Sequence, residues 1–267
     1  MDESATGSVN FFLDRAPPPP LWQHRGPVPV YRFEQQRRDY TDLAAGRVLR
    51  GAPGATAFPV RLASELAQRA FAHAPSSGAL LLYDPCCGGG YLLTVIGLLH
   101  GARVRGLVGS DVSPEAVSLC ESNLALLDPD GLRERLGRLE QDATSFGKDA
   151  HREAVASAGR LSALLQPQAP LRRTFVADAG DPEAIRAGLD GLGPDIAIVD
   201  VPYGRASAWA GRATGTGALL ASLAAALRPG AIVAVAASKR DRPESDRFER
   251  LEHWQVGKRA LAVLRLR

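Results

Sequence analysis

The sequence predicts an α/β fold with a mainly parallel, seven-stranded sheet, and three observations support this prediction. Short apolar segments rich in Val, Ile and Leu alternate with helical patterns along the centre of the chain. The first of these segments ends in a Gly-rich turn that opens a helix, as in Rossmann-like folds. The last two segments flank Gly257-Lys258 and predict an antiparallel hairpin. The 267 residues suffice for one such domain with additional segments.

Each predicted element follows from its local pattern. Because strands alternate with helices, the strands are expected to be parallel and covered by helices on both faces. Ser113-Pro114 is a typical helix start, and Pro229-Gly230 is a typical helix end. The predicted helices are residues 58–74, 91–100, 113–127 and 216–227. The predicted strands are residues 79–84, 105–111, 173–177, 196–200, 231–237, 248–256 and 259–266.

Two parts of the chain lie outside this minimal fold. Residues 1–29 include four consecutive prolines from Pro17 to Pro20, which predicts a flexible arm before a domain at residues 30–267. About residues 128–172 have helical composition and are too long for a structureless loop, so they predict an inserted helical arm. Residues 31–45 have a polar pattern that leaves helix and strand open.

Composition restricts the class of protein. No apolar run approaches the length of a membrane span, and Met1-Asp2-Glu3-Ser4 does not begin a secretory signal, so we expect a cytoplasmic protein without a membrane partner. Three cysteines provide neither a disulfide framework nor zinc spacing, and the histidines are scattered, so no metal site is predicted.

The net charge of +3 conceals three basic segments. Residues 22–61, 131–173 and 239–267 carry 7, 8 and 9 Lys and Arg against 3, 5 and 5 Asp and Glu, respectively. Basic appendages around an acidic core indicate a polyanionic partner, and all three segments are candidates for contact with phosphates. The solvated surface of an Arg-rich protein would produce the same pattern.

The Gly-rich turn after the first strand, residues 84–90, is the candidate cofactor site. Glycine lacks a Cβ and lets the backbone approach a ligand closely. The dinucleotide motif G-x-G-x-x-G would need a glycine where Leu93 stands, and a strand-end acid suits a cofactor with a positive charge. The turn resembles motif I of the class I S-adenosylmethionine (SAM)-dependent methyltransferases. A turn without a ligand and a reactive Cys86-Cys87 pair are the alternatives. The residues predicted to bind SAM here are Asp84, Cys86, Gly88 and Gly90.

Two more acidic residues close predicted strands. Asp111 follows the turn by about twenty residues, where a carboxylate accepts hydrogen bonds from ribose hydroxyls; capping of the next helix is the alternative. Asp178 stands where methyltransferases have an Asp that binds the adenine amino group. Asp181 is the rival for that role, although its position before Pro182 is typical of an N-cap.

The fourth predicted strand ends in Asp200-Val201-Pro202-Tyr203, which resembles the Asn/Asp-Pro-Pro-Tyr motif of methyltransferases that act on amino or ring nitrogens. In that motif a side-chain oxygen and a backbone carbonyl orient the target nitrogen, and the aromatic ring stacks on the base. A ring nitrogen such as N1 of guanine must also lose its proton, for which Asp200 is the candidate base. Val201 replaces the first proline, so the choice between exocyclic and ring nitrogen stays open. The predicted catalytic residues are Asp200, Pro202 and Tyr203.

Together these motifs resemble the AviRa family, the avilamycin-resistance 23S rRNA guanine methyltransferases. The shared features are residues 47–54, residues 58–65, the Cys-Cys pair within motif I and the Asp-x-Pro-Tyr-Gly form of motif IV. The resemblance covers about residue 30 to the C-terminus. It implies a monomeric class I fold, SAM as methyl donor, a guanine base nitrogen (N1 or N2) of 23S rRNA as target, and resistance to an orthosomycin antibiotic. Two alternatives remain: a methyltransferase for protein glutamine or DNA adenine, and an RNA-binding module with a vestigial SAM site.

Overall fold

The computed structural model describes residues 30–44, 46–51, 57–75, 78–201, 211 and 215–267. Within these ranges the α-helices are α1 (Val60–His73), α2 (Tyr91–His100), α3 (Pro114–Leu124), α4 (Pro129–Phe146), α5 (Asp149–Ser162), α6 (Pro182–Leu189) and α7 (Thr216–Ala226). The strands are β1 (Leu80–Asp84), β2 (Val104–Asp111), β3 (Leu171–Val176), β4 (Ile196–Asp200), β5 (Ile232–Ser238), β6 (Phe248–Val256) and β7 (Arg259–Leu266). None of these helices is both long enough and apolar enough to cross a membrane.

The strands form one sheet in the order β3-β2-β1-β4-β5-β7-β6. Strands β1 to β5 are parallel, and β7 pairs antiparallel with both β5 and β6. This arrangement confirms the predicted fold class, including the C-terminal hairpin. The chain proceeds from β1 to β2 and β3 on one side and then to β4 and β5 on the other. The topological switch point therefore lies between β1 and β4, where ligands bind at the carboxyl ends of the strands in open α/β sheets.

Strand β1 is the centre of the core because both of its faces are covered. All five of its residues are buried. Leu80 and Leu82 face one hydrophobic cluster, which includes side chains of α1, α2 and α3. Leu81 and Tyr83 face the other cluster, which includes side chains of α6 and α7. The continuous apolar run in the sequence follows from this two-sided burial.

Most element boundaries agree with the sequence-based expectation, and the differences have local causes. The helix after the Gly-rich turn, the fourth strand and the terminal hairpin have the predicted bounds. Helix α1 begins at Val60, because Pro59 has extended backbone angles and is the N-cap. Strand β3 begins at Leu171, two residues earlier than predicted, because pairing with β2 extends to Gly106. Residues 31–40 form no regular element, and a short 3₁₀ turn follows at Thr41–Leu43.

Helices α4 and α5 occupy the interval in which we expected an inserted arm. Gly147, in the left-handed conformation with φ of 63°, ends α4, and α5 begins at Asp149. Leu132 and Leu139 of α4 are buried in the same cluster as Leu161 of α5. The arm therefore packs onto the domain through the apolar side of both helices. The predicted Pro-rich arm, residues 1–29, lies outside the described residues.

A buried ionic network attaches the first described segment to the domain. The fully buried Glu65 carboxylate of α1 accepts hydrogen bonds from the backbone N–H groups of residues 32–34 at 2.7–2.8 Å. Arg69 donates to Glu65 at 2.6 Å and to Glu252 of β6 at 2.7 Å, and its guanidinium lies over the Trp254 ring. The network therefore joins the N-terminal segment, α1 and the closing hairpin.

Candidate active site

The strand-end carboxylates predicted from the sequence lie around the switch point. Asp84 ends β1 and Asp200 ends β4, which are the two strands that flank it. Asp111 ends β2, where it pairs with Val176 of β3. Asp178 lies two residues beyond Val176 in the sequence. The structure thus places all four carboxylates at the carboxyl edge of neighbouring strands.

The Gly-rich turn is held by two of these carboxylates. Gly88 has φ of 49° and Gly90 has φ of 72°, a left-handed conformation that side chains disfavour. The Gly88 N–H donates to Oδ2 of Asp111 at 2.9 Å, and the Cys86 N–H donates to Oδ1 of Asp84 at 3.0 Å. These bonds fix the turn between β1 and β2 with its backbone facing the site.

Asp111 is not the helix cap that we considered as its alternative role. Ser113 is the N-cap of α3, and its hydroxyl accepts from the Ala116 N–H at 3.1 Å. Oδ1 of Asp111 accepts from the Ser113 N–H at 3.0 Å, while Oδ2 holds the Gly-rich turn. Each oxygen keeps a further lone pair, so the carboxylate can still accept hydrogen bonds from a ligand.

The adjacent cysteines pack on opposite faces of the sheet. Cys86 contacts the cluster on the α6–α7 side, and Cys87 is buried in the other cluster. The Cys87 thiol donates to the Gly88 carbonyl at 3.4 Å, and the neighbouring Cys120 thiol of α3 and burial together raise the pKa of Cys87. A Cβ at Gly90 would lie only 2.5 Å from the Cys120 sulfur. The thiols and the absent side chain together set how closely α3 approaches the turn.

Several carboxyl groups lie close together at the site, so the negative charge of one raises the pKa of another. Asp84 is 2% exposed, and burial raises the pKa of its carboxyl group well above the usual value, with the negative charges of Asp111 and Asp200 adding to the rise. Burial also raises the pKa of the Cys86 thiol, and the charges of Asp84, Asp111 and Asp178 contribute. Such a site favours a ligand that brings positive charge to Asp84.

Asp178 and Asp181 differ in their surroundings. Oδ1 of Asp181 accepts from the backbone N–H groups of residues 183 and 184 at 3.1 Å, so Asp181 is the N-cap of α6. Asp178 accepts from the Gly180 N–H at 2.8 Å and lies against the backbone of Gly211. A Cβ at Gly211 would lie 2.6 Å from Oδ1 of Asp178. Gly211 is therefore close to the carboxylate that the family resemblance relates to adenine.

Asp200 lies beside a cation that comes from the terminal hairpin. Oδ1 of Asp200 is 3.7 Å from Nε of Arg259, the first residue of β7. The Arg259 guanidinium lies 5.1 Å from the centre of the buried Phe58 ring. Burial raises the pKa of Asp200 to about 6, and Arg259 opposes that rise. Pro202 and Tyr203, the other predicted catalytic residues, lie outside the described residues.

The chain is similar to known proteins over most of its length. A profile of the family described as "RRNA methyltransferase AviRa" matches residues 30–259. The 23S rRNA (guanine(2535)-N(1))-methyltransferase of Streptomyces viridochromogenes is 42% identical over 240 residues, which cover 88% of this chain and 96% of that enzyme.

The chain belongs to the AviRa family of rRNA methyltransferases. Two solved structures of rRNA methyltransferase AviRa from Streptomyces viridochromogenes, at 1.5 and 2.4 Å, each superpose with a TM-score of 0.80. They are 43% and 42% identical to this chain, and each match covers 88% of this chain and 96% of the solved one.

Three residues of this AviRa-family chain adjoin the predicted site residues, although no sequence motif singled them out. Arg259 pairs with Asp200 across the sheet. The fully buried Asn123 of α3 donates to the Gly89 carbonyl at 2.8 Å and to the Arg50 carbonyl at 2.9 Å, so it ties the turn to the N-terminal segment. Val112 is apolar yet 39% exposed directly after Asp111. Of these three residues, only Val112 could have been found from its local sequence, because it directly follows a strand-end acid.

Proposed function

We propose that this AviRa-family chain is a SAM-dependent methyltransferase that modifies N1 of a guanine in 23S rRNA. The observation that carries the proposal is the position of Asp200. Its carboxylate ends the strand next to the acidic site, close enough for its charge to raise the pKa of Asp84. A base that accepts a proton therefore stands beside the site that suits a cationic cofactor. The 42% identical relative is named for guanine N1 methylation, which agrees with this arrangement.

The residues of the site fit SAM in three respects. The cofactor carries a sulfonium and an ammonium group, and the buried Asp84 carboxyl group gains from a nearby positive charge. Because Gly88 and Gly90 have no Cβ, a ligand can approach the backbone of the turn closely. We assign Cys86, Gly88 and Gly90 to binding the methionine part of SAM. We assign Asp111 to the ribose hydroxyls, Asp178 to the adenine amino group, and the exposed Val112 to the face of the adenine ring.

The proposed chemistry is an in-line transfer that needs a positioned and deprotonated nitrogen. SAM, when bound, supplies an electrophilic methyl group. Asp200 accepts the N1 proton of guanine, and the nitrogen lone pair forms the new N–C bond, which leaves the neutral thioether as the second product. Because the pKa of Asp200 is about 6, most of its carboxylate is ionised at pH 7.5 and can accept this proton. We assign Pro202 and Tyr203 to holding and stacking the base. Most of the acceleration is expected from positioning.

A methyl-transfer assay with mapping tests the proposal. The purified chain is incubated with labelled SAM and, separately, with 23S rRNA transcript, DNA and total protein. The modified RNA is digested and sequenced by mass spectrometry. Label in a single 23S guanine, with the methyl group on N1, is the expected result. A methyl group on N2 would contradict the role of Asp200 as base, and label only in protein or DNA would overturn the RNA substrate.

We also propose that the modification protects the ribosome against an orthosomycin antibiotic, as the family resemblance implies. Expression of the chain in an avilamycin-sensitive bacterium is expected to raise the inhibitory concentration of avilamycin. Expression of Asp200→Ala at the same level is the control. Unchanged sensitivity despite a methylated guanine would leave the enzyme activity in place and refute the protective role.

A further inference from the structure

The exposed Lys and Arg residues that the structure describes differ in whether they form an ion pair with an acidic side chain. In the helical arm, the exposed arginines pair with carboxylates one helical turn away. These pairs are Arg133 with Asp130, Arg138 with Glu134, and Arg152 with Asp149. Arg160 pairs with Asp42 and Glu153. The arm is therefore rich in Arg but largely neutralised at its own surface.

A different group of exposed cations has no such partners. Lys239, Arg240, Arg242 and Lys258 are exposed, and none of them forms an ion pair with a described residue. We call these four residues the hairpin-edge cations. The acidic residues among them are engaged elsewhere: Asp241 accepts from the Thr216 N–H at 2.9 Å, and Glu244 pairs with Arg250 at 2.9 Å.

The hairpin-edge cations lie on the same edge of the sheet as Asp200. Asp200 pairs with Ala236 of β5, and Lys239 follows three residues later along the same strand direction. At about 3.3 Å per residue, Lys239 is roughly 10 Å beyond the level of Asp200. The Lys239 N–H donates to the Lys258 carbonyl at 3.2 Å, so the turn between β6 and β7 lies alongside. Asp200 and the cations are therefore within the span of adjacent nucleotides.

We propose that the hairpin-edge cations bind the phosphates of the RNA segment that flanks the target guanine. This inference rests on the proposed function and adds to it the surface that receives the substrate. Phosphate contacts supply most of the affinity for a nucleic acid and position it without reading its sequence. A group of uncompensated cations beside the catalytic carboxylate is suited to that task. The paired arginines of the arm are correspondingly poorer candidates, although the sequence composition of the two segments is alike.

The test compares two triple variants that remove the same number of charges. One is Lys239→Gln/Arg240→Gln/Lys258→Gln, and the control is Arg133→Gln/Arg138→Gln/Arg152→Gln in the arm. Binding of a labelled 23S rRNA transcript is measured between 50 and 300 mM KCl, together with SAM affinity and the rate of methyl transfer over a range of RNA concentrations. All six residues are exposed, so both variants are expected to fold, which thermal melting verifies.

For the hairpin-edge variant we expect the slope of log affinity against log salt to fall by about 2, because each contact to a single-stranded phosphate contributes about 0.7. The KM for RNA is expected to rise at least tenfold, with SAM affinity unchanged. The control is expected to keep the wild-type slope. A hairpin-edge variant with the wild-type slope, or a control with an equal loss of slope, would refute the proposal for this surface. Methylation of 23S rRNA by the wild-type chain would in either case still support the proposed function. If the wild-type chain itself does not methylate 23S rRNA, both fail together.

Discussion

Nε of Arg259 and Oδ1 of Asp200 are 3.7 Å apart, although 58 residues separate them in the chain. The pair forms because β7 returns antiparallel along β5 and brings its first residue to the carboxyl edge of the sheet. Arg259 is in turn held over the Phe58 ring. The half-buried Asp200 carboxylate therefore has a fixed positive neighbour, which favours its ionised form. We propose that Arg259 is a positioning residue that acts through Asp200.

Substitution of Arg259 is expected to alter the pH dependence of methylation. With burial unopposed, the pKa of Asp200 rises above its present value of about 6, so the carboxylate is protonated over a wider pH range. In Arg259→Met the acid limb of kcat/KM against pH should move upward by about one pH unit. Arg259→Lys keeps a charge near the carboxylate and should move the limb less. A uniform loss of rate with an unmoved limb would show that Arg259 serves the structure alone.

Two substitutions of Asp200 separate proton acceptance from hydrogen bonding. Asp200→Asn retains an oxygen that can accept an N–H bond but cannot take the N1 proton. Both Asp200→Asn and Asp200→Ala are expected to lower kcat at least 100-fold, because general base catalysis contributes about 10²–10⁴-fold. Both should bind SAM nearly as well as the wild type in calorimetry. Substantial activity in Asp200→Asn would favour the exocyclic nitrogen as the target, and equal loss of SAM binding would place Asp200 in the cofactor site.

SAM binding is expected to release a proton from Asp84. The pKa of this carboxyl group is raised in the ligand-free protein by burial and by the charges of Asp111 and Asp200. A cationic ligand favours the ionised form, so affinity should increase with pH up to the ligand-free pKa and level off above it. Calorimetry in two buffers with different ionisation enthalpies measures the released proton.

The matched variant for this prediction is Asp84→Asn, which can still accept from the Cys86 N–H. It should release no proton and bind SAM roughly 10- to 100-fold more weakly, since a charge-assisted hydrogen bond contributes about 1.5–3 kcal/mol. Proton release that persists in Asp84→Asn would assign the titration to another group.

Removal of the Asn123 amide should weaken the cofactor site through the turn. Asn123→Ala leaves the partly buried Gly89 and Arg50 carbonyls without this donor, at a cost of about 1–3 kcal/mol. We expect a SAM affinity at least fivefold lower, together with a lower Tm. Ser157→Ala, which removes a fully buried polar side chain of α5 that donates to Asp42 and has no hydrogen bond to the turn among the described residues, is the control and should lower Tm alone. Similar SAM affinities in the two variants would contradict the role of Asn123.

The buried network of α1 predicts a large effect on stability. Arg69→Met removes a guanidinium that is fully buried between Glu65 and Glu252, and it leaves two carboxylates without that partner. Breaking such a pair costs about 3–5 kcal/mol in the free energy of unfolding. Urea denaturation measures the change. A loss below about 1 kcal/mol would mean that the remaining donors to Glu65 and Glu252 compensate for the missing charge.

The elements and the strand-end acids were accessible from the sequence because each depends on local pattern. Apolar runs, turn residues and the Gly-rich turn identified α2, β4, β6 and β7 with their observed bounds, and β1 to within one residue. The pairing of the arm arginines was also accessible, since Asp130 and Arg133 stand one helical turn apart. The Asp200–Arg259 pair and the Arg69–Glu252 pair were not, because each joins elements distant in sequence. Only the strand order, which no local pattern specifies, brings those residues together.

The shared space behind the Gly-rich turn has a consequence for the evolution of the family. Cys87 and Cys120 fill one small volume between α3 and the turn, and a Cβ at Gly90 has no room there. We infer that positions 87 and 120 covary, so that a larger side chain at one is accepted only with a smaller one at the other. Pairwise saturation mutagenesis of these two positions, selected for methylation, should recover combinations with a nearly constant total volume. Independent tolerance at the two positions would refute the coupling. The Cys-Cys pair within motif I, to which we assign no catalytic role, would then be explained by the packing that Cys87 preserves.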